Sequence, residues 1–329
     1  MSTDQRIQRR ILVTGVGGAP GFDLARALLR LGCDVIATDS DPLAPGLLLP
    51  TVTPRVTTAA ADERYRADLL RLCAELRPDA IISTVERELP KLVILRRPLA
   101  DLGVTTWLPD AQGVEACVDK AAFHAALTEY EVPTPRTVMP DSLGDLPEDR
   151  PLVVKPRWGQ GAQNVVFCQT REQARILCEV VPDPIVQERV TGREFTADCL
   201  VDRSGRASVI LRYRLLVKGG LAVVSRTFHD QEAEGCVRRT LAAVGAAGAC
   251  CAQGFLRAAG PERVLMTEVN ARVGGGFLTA EAADADLAGQ LLAGLFHRPV
   301  DHSRLAYQPG VCLTKYTETP ATTTQEQQR

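Results

Sequence analysis

Near its start the chain reads ILVTGVGGAPG. An apolar strand, Ile11 to Thr14, runs into a turn holding Gly15, Gly17, Gly18 and Gly21, and a helical pattern continues through Leu31. A strand followed at once by a helix has to cross back over its own sheet, which commits the segment to parallel pairing. The pattern recurs: a strand from Asp34 to Thr38 ends at Asp39, a helix covers about Arg64 to Leu76, a strand covers Ala80 to Ser83, and a helical stretch runs from about Leu89 to Leu102. Alternation of this kind predicts an α/β unit over residues 1–108, an open doubly wound parallel sheet.

After this unit the periodicity changes. A helix is predicted over 111–130, then the loop VPTPRTVMPDSLGDLPEDRP, strands at Leu152–Lys155 and Val165–Cys168, a helix at Thr170–Val180 and a strand at Pro184–Val190. From Glu194 onward the alternation suits an antiparallel sheet: Phe195–Val201, Ala207–Leu216, Ala222–Phe228, then Cys250–Arg257 and Arg263–Asn270, with helices over 231–245 and 279–296. The polar tail TETPATTTQEQQR is predicted to be disordered.

A net charge of −2 over 329 residues gives no basis for a nucleic-acid or anionic-membrane surface. The N-terminus MSTDQRIQRR lacks the apolar core of a signal peptide, and no stretch approaches the length of a membrane span. Ten cysteines stand singly, except Cys250 and Cys251, with no metal-binding spacing, as expected for reduced thiols in a cytoplasmic protein.

Four stretches carry candidate chemistry. In the first glycine turn, a G-x-G-x-x-G fingerprint would need glycine at 20, where Pro20 stands, although Asp39 closes the second strand as a ribose-binding acid would. A tight turn, a dinucleotide site and a substrate pocket all remain open there. In VVKP, Lys155 ends an apolar strand just before a loop with Gly159 and Gly161; it reads as a phosphate-binding ammonium under a glycine-rich cover, or as a solvated strand end. Lys120 in VDKAAF has the same two readings. In IVQERVTGRE, the backbone of Glu188 and Val190 can meet a planar base while Glu194 meets ribose hydroxyls, or the segment is a charged surface hairpin.

The fourth stretch is MTEVNARVGGG. Alternation places Glu268, Asn270 and Arg272 on one face of a strand and Thr267, Val269 and Ala271 on the other. Carboxylate and amide oxygens suit Mg²⁺, Gln253 on the preceding strand offers another oxygen, and Arg272 brings charge to a transferring phosphoryl group. The plainer reading is a polar face stitched by an Arg/Glu pair. Glu86 and Glu88 in STVERELP either touch a substrate amine or start a solvated helix. His124, His229, His297 and His302 belong to no catalytic motif, and only His229, beside Asp230, invites a test.

Taken in order, ILVTGVGGAPG, VDK, VVKPRWGQGAQNV, IVQERVTGREFTADCLVD, the arginine pair in LRYRLLVKGG, AQGF and TEVNARVGGG resemble the ATP-grasp superfamily, in the branch of the carbamoyl phosphate synthetase large subunit and its amino-acid-ligating relatives. The resemblance implies a pre-ATP-grasp domain at 1–108, a two-subdomain α+β grasp divided into 109–187 and 188–316, and a tail at 317–329. It implies ATP phosphates on Lys120 and Lys155, adenine at Glu188 and Val190, ribose at Glu194, and Mg²⁺ or Mn²⁺ at Gln253, Glu268 and Asn270. Many relatives have an acidic residue where Gln253 stands. Arg272 would bind phosphate in the transition state, with Arg212 and Arg214 near the phosphates or the substrate carboxylate. Glu86 and Gly274, Gly275 and Gly276 would border the acceptor.

The implied reaction is phosphoryl transfer from ATP to a carboxylate, followed by attack of an amine. The substrates would be an amino acid or small biosynthetic carboxylate and an amine that is free, peptide-borne or carrier-borne, and homodimers are common in the family. Two rival expectations are a catalytically silent nucleotide-binding regulator of the same fold and an NAD-dependent dehydrogenase using the first glycine turn.

Overall fold

The structure, a computed structural model, describes residues 8–148, 150–159 and 163–318. Gly161 and the tail from Thr319 onward lie outside these residues.

The leading sheet is parallel, as the alternation predicts, with strands β1 (Arg10–Thr14), β2 (Asp34–Asp39), β3 (Thr53–Val56) and β4 (Ala80–Ser83) in the order β3-β2-β1-β4. Helices α1 (Ala19–Arg30), α2 (Tyr65–Leu76) and α3 (Leu89–Asp101) cover it. Leu12, Ile36 and Ile81 pack against α2 and α3, whereas Ile11, Val13, Val35 and Ala37 face the opposite layer with α1. Both faces are therefore buried, as parallel sheets require. Strand β3 escaped prediction because TPRV is short, half-exposed and carries Pro54, features of an edge strand.

The helix expected over 111–130 is two helices, α4 (Ala111–Val118) and α5 (Lys120–Glu129). Asp119 breaks them with extended backbone and then caps α5, its carboxylate accepting from the Ala121 N–H at 2.9 Å. The same carboxylate accepts from Arg157 Nε at 2.7 Å. Residues of α4 and α5, expected in the small subdomain, pack instead on the core of the large sheet through Val114, Cys117, Phe123 and Leu127.

The small sheet has β5 (Thr137–Val138), β6 (Leu152–Pro156), β7 (Val166–Cys168) and β8 (Pro184–Glu188) in the order β5-β8-β6-β7, all antiparallel, with α6 (Arg171–Cys178) behind it. Strand β5 sits inside the stretch expected to be only loop.

The large sheet is antiparallel in the order β13-β12-β9-β10-β11-β14: β9 (Arg193–Val201), β10 (Ala207–Lys218), β11 (Leu221–Thr227), β12 (Gly248–Leu256), β13 (Val264–Asn270) and β14 (Cys312–Thr314). Helix α7 (Gln231–Ala243), with α4 and α5, covers the face bearing Phe195, Ala197 and Val269. The expected helix 279–296 is α8 (Leu278–Ala282) and α9 (Leu287–Leu295), interrupted where Asp284 adopts φ +72°. Leu200 and Ile210, on the other face of the large sheet, share a core with α9 and with Ile11, Val13 and Leu24 of the leading domain. That shared core brings the glycine turn of the leading domain up to the polar end of the large sheet. No helix of the described residues is long and apolar enough to cross a membrane. All ten cysteines are free, and eight of them are buried.

Candidate functional site

Strand β13 does not keep strict alternation. Gln253 on β12 lies opposite Glu268, but the next residue, Gly254, lies opposite Met266, so Thr267 is an extra residue bulged out of the ladder. A bulge re-aims side chains. Met266 and Val269 consequently both point into the apolar core, while Thr267 and Glu268 both line the cleft on the other face. The expectation that Thr267 points away from Glu268 is thus corrected. Val269 and Ala271 are buried as expected.

The cleft consists of two adjoining chambers. The first, of about 580 Å³, lies between the small and large sheets and is lined by Lys120, Lys155, Glu188, Val190, Glu194 and Arg214, with apolar walls from Val153, Val165, Phe167 and Phe255. The second, of about 420 Å³, lies between the large sheet and the leading domain and is lined by Gly15, Pro20, Thr84, Val85, Leu221, Arg212, Arg272 and Gly274, Gly275 and Gly276. Arg214, Gly220, Gln253 and Glu268 line both. A molecule in one chamber meets a molecule in the other at these four residues.

The cations divide into two kinds. Arg212 Nε donates to Asp198 Oδ2 at 2.6 Å and its Nη2 donates to Oδ1 at 3.2 Å, with both residues buried. Arg214 pairs with Glu194 and donates to Gln253 Oε1 at 2.8 Å and to the Gly220 carbonyl at 2.7 Å. Glu194, expected on ribose, is therefore committed to Arg214 here. Lys120, Lys155 and Arg272 have no carboxylate within ion-pair distance among the described residues. Lys120 Nζ donates to the Gly159 carbonyl at 2.8 Å, and Lys155 Nζ to Gln187 Oε1 at 2.9 Å. Arg272 Nη2 donates to Asn270 Oδ1 at 3.0 Å, and its buried Nε has no hydrogen-bond partner among the described residues. Burial pushes the Lys155 ammonium down to about 8; the charge on Lys120 adds to this and Glu268 opposes it.

Asn270 is buried, donates to Glu268 and lines neither chamber, so it sets the carboxylate's position. Glu86 is not a solvated helix start: it is 6% exposed. Burial, with the charge on Glu268 second, pushes its carboxyl up to about 7. It lines neither chamber. Glu88 is buried too, accepting from Ser83 Oγ at 2.7 Å and from Thr14.

The three glycines have steric causes. A Cβ on Gly274 would stand 2.9 Å from Asp198 Oδ1, on Gly275 2.7 Å from Leu221 Cδ1, and on Gly276 2.7 Å from the Arg212 guanidinium. In the first glycine turn, Asp39 Oδ2 accepts from the Gly17 N–H at 2.7 Å, so the acid that would hold a dinucleotide ribose closes its own turn.

Residues 117–276 match the family model described as an ATP-grasp domain. The chain carries an ATP-grasp domain. Its fold resembles an L-amino acid ligase from Bacillus licheniformis at 20% identity and TM-score 0.71, covering 92% of this chain and 78% of that one. It also resembles an N5-carboxyaminoimidazole synthetase from Staphylococcus aureus complexed with ADP, at 14% identity and TM-score 0.70, covering 93% and 80%. A biotin carboxylase from Campylobacter jejuni, solved as a β-γ-ATP complex, aligns at 12% identity and TM-score 0.71, covering 89% and 72%. Among curated protein sequences none matches.

In the ATP-grasp domain the donor set at the junction of the chambers is one carboxylate, Glu268, with Gln253 opposite it, whose amide oxygen accepts from Arg214 in this structure. Among the described residues no group of three His, Cys, Asp or Glu side chains gathers there. This suits Mg²⁺, which keeps waters and binds chiefly through substrate phosphates, and would not suit a metal needing a full protein cage. Sequence reading missed Asp198 and Gln187. In TADCLV, Asp198 is the charged residue on the face it shares with Thr196 and Leu200, a signal that alternation contains. It also missed that Ser208 Oγ lies 2.7 Å from His302 Nδ1, with His302 Nε2 3.0 Å from Asp202 Oδ2. That contact ties the β9–β10 turn to the segment after α9 and borders neither chamber.

Proposed function

We propose that the protein is an ATP-dependent carboxylate–amine ligase. The observation that carries this reading is the division of the cations. The guanidiniums of Arg212 and Arg214 are neutralised by carboxylates, while Lys120, Lys155 and Arg272 face the two chambers without one among the described residues, and Glu268 stands where the chambers join. Such an array suits a polyphosphate entering from the first chamber and an anionic acceptor in the second.

Nucleotide would lie with its base against Val153, Phe167 and Phe255 and its phosphates toward Lys155 and Lys120. A carboxylate oxygen of the substrate attacks the γ-phosphorus, the bond to the bridging oxygen breaks, and ADP departs. The amine nitrogen then attacks the acyl carbon, expelling phosphate and releasing a proton. Lys155, Lys120 and Arg272 orient the transferring group and offset its charge. Bound Mg²⁺ would be held by Glu268, and by Gln253 once its amide oxygen leaves Arg214, and would supply charge neutralisation on the phosphates.

ADP release measured across pools of amino acids and small carboxylates, with MgATP present, tests the reading. Turnover that Glu268→Ala lowers at least a hundredfold, with circular dichroism unchanged, is the expected result. Tight ATP binding without turnover on any pool would instead favour the silent regulator.

A further inference from the structure

We propose that Arg214 is a displaceable clasp, a positioning residue that ties the filling of the nucleotide chamber to the hairpin bordering the second chamber. The identity of the ligand that displaces it rests on the ligase reading, whereas the clasp itself rests on three hydrogen bonds.

All three come from one guanidinium. Nη1 donates to the Glu194 carboxylate and to Gln253 Oε1 at 2.8 Å, and Nη2 donates to the Gly220 carbonyl at 2.7 Å. Glu194 lies on β9 and Gln253 on β12, so the side chain starts on β10 and reaches over β9 to the strand beyond. Each acceptor serves a different part of the cleft. Glu194 lines the nucleotide chamber, Gln253 stands opposite Glu268 where the chambers join, and Gly220 sits in the turn of the β10–β11 hairpin.

The hairpin is the least supported part of the large sheet. Strand β9 pairs with β10 only as far as Tyr213. Beyond it the hairpin's own register slips between Arg214 and Leu216 and again between Leu216 and Val217, and Leu215, Leu216 and Val217 are exposed. A bulged two-stranded ribbon with little buried surface opens easily. Val217 lines the first chamber, Leu221 and Ala222 the second, and Gly220 both. The bond from Arg214, at the root of this arm, to Gly220, at its tip, therefore fixes a stretch of wall that the two chambers share.

The neighbouring arginine shows why this clasp can let go. Arg212 and Asp198 are 3% and 1% exposed, a closed pair, whereas the Glu194 carboxylate that holds Arg214 is 35% exposed and open to a ligand in the chamber. A ribose hydroxyl on Glu194, or a cation on the Gln253 oxygen, competes with the guanidinium for the same atoms, and a cation also repels it. Linkage then works in both directions: a ligand that loosens Arg214 loosens the hairpin tip, and Arg214 in its clasp opposes that ligand.

Two measurements on the full chain test this. The first is adenosine affinity by calorimetry without metal; adenosine has no phosphates, so loss of a positive charge does not by itself weaken it. Arg214→Met should bind adenosine about fivefold tighter or more, the lower end of ordinary coupling between sites. Arg214→Lys, which keeps the charge but not the planar fork, should change in the same direction. The second is hydrogen exchange of the amides of residues 215–222. MgADP should speed it in the wild type, whereas in Arg214→Met it should be fast already and unmoved by MgADP. Adenosine affinity unchanged or weaker in Arg214→Met, with circular dichroism intact, would overturn the clasp, as would wild-type behaviour in Arg214→Lys or an equal response of the hairpin amides in wild type and Arg214→Met. ADP release followed in parallel separates the two readings. Turnover with an unchanged adenosine affinity would leave the ligase and remove the clasp, and the expected shifts without turnover on any pool would sustain the clasp and count against the ligase.

Discussion

Arg212 reaches diagonally across the β9–β10 ladder to Asp198, which is paired directly with Ile210 and lies one step along the same face. Both side chains are almost fully buried. Diagonal neighbours in an antiparallel sheet are within reach of long side chains, so the pair is a product of register. Removing one partner strands a buried charge. Asp198→Ala should cost about 3–5 kcal/mol, and Asp198→Ala combined with Arg212→Met should recover much of that loss. Urea denaturation of the two variants checks it, and a double variant no more stable than the single one would refute it.

The same pair makes Gly276 irreplaceable. A Cβ there would press on a guanidinium that Asp198 prevents from swinging aside. Gly276→Ala is expected to destabilise the protein by roughly 1–3 kcal/mol, the range for overpacking a closed site. Thermal unfolding should show this loss, and an unchanged midpoint would show that Arg212 has room to move.

Lys155 predicts proton linkage. Its ammonium is pushed down to about 8 in the free protein, and phosphate oxygens nearby would favour the charged form. The sign follows. Between about 8 and its ordinary value near 10.5, the unfolded chain holds the proton more firmly than the folded one, so this residue's contribution to stability rises with pH across that window. ADP binding above pH 8 should take up a proton, and affinity should fall toward tenfold per pH unit. Calorimetry in buffers of different ionisation heat measures the uptake, and Lys155→Met should abolish it.

Glu86 has the opposite charge and its own pH window. Its carboxyl sits at about 7 against an ordinary 4.5, so the folded state keeps a proton that the unfolded chain has lost. The associated stability is complete below about 4.5 and is lost as pH rises through about 7. Glu86→Gln should therefore raise stability by roughly 2–3 kcal/mol at pH 8 without Mg²⁺, and hardly change it at pH 4.5. Equal effects at both pH values would contradict the burial of this charge.

Period and spacing made the parallel leading sheet, the antiparallel large sheet and the cleft-facing Lys155 and Glu268 visible in the sequence. What stayed hidden depends on partners across the fold. Thr267 cannot be recognised as a bulge without Gly254 beside it, because the bulge exists only in the pairing of two strands. Asp119 interrupts a helical pattern because Arg157, 38 residues later, claims its carboxylate. Glu194 reads as a free acid until the register sets Arg214 beside it.

Asp119 also bears on how the protein opens. It holds Arg157, forms a bridge to Trp158 through its backbone, and caps the helix that begins with Lys120, while Lys155 stands next to the end of the strand leading into Arg157. The two lysines are mounted on one joint. A hinge motion that widens the cleft would have to carry both together, so a nucleotide would gain or lose its two ammonium contacts as a single event.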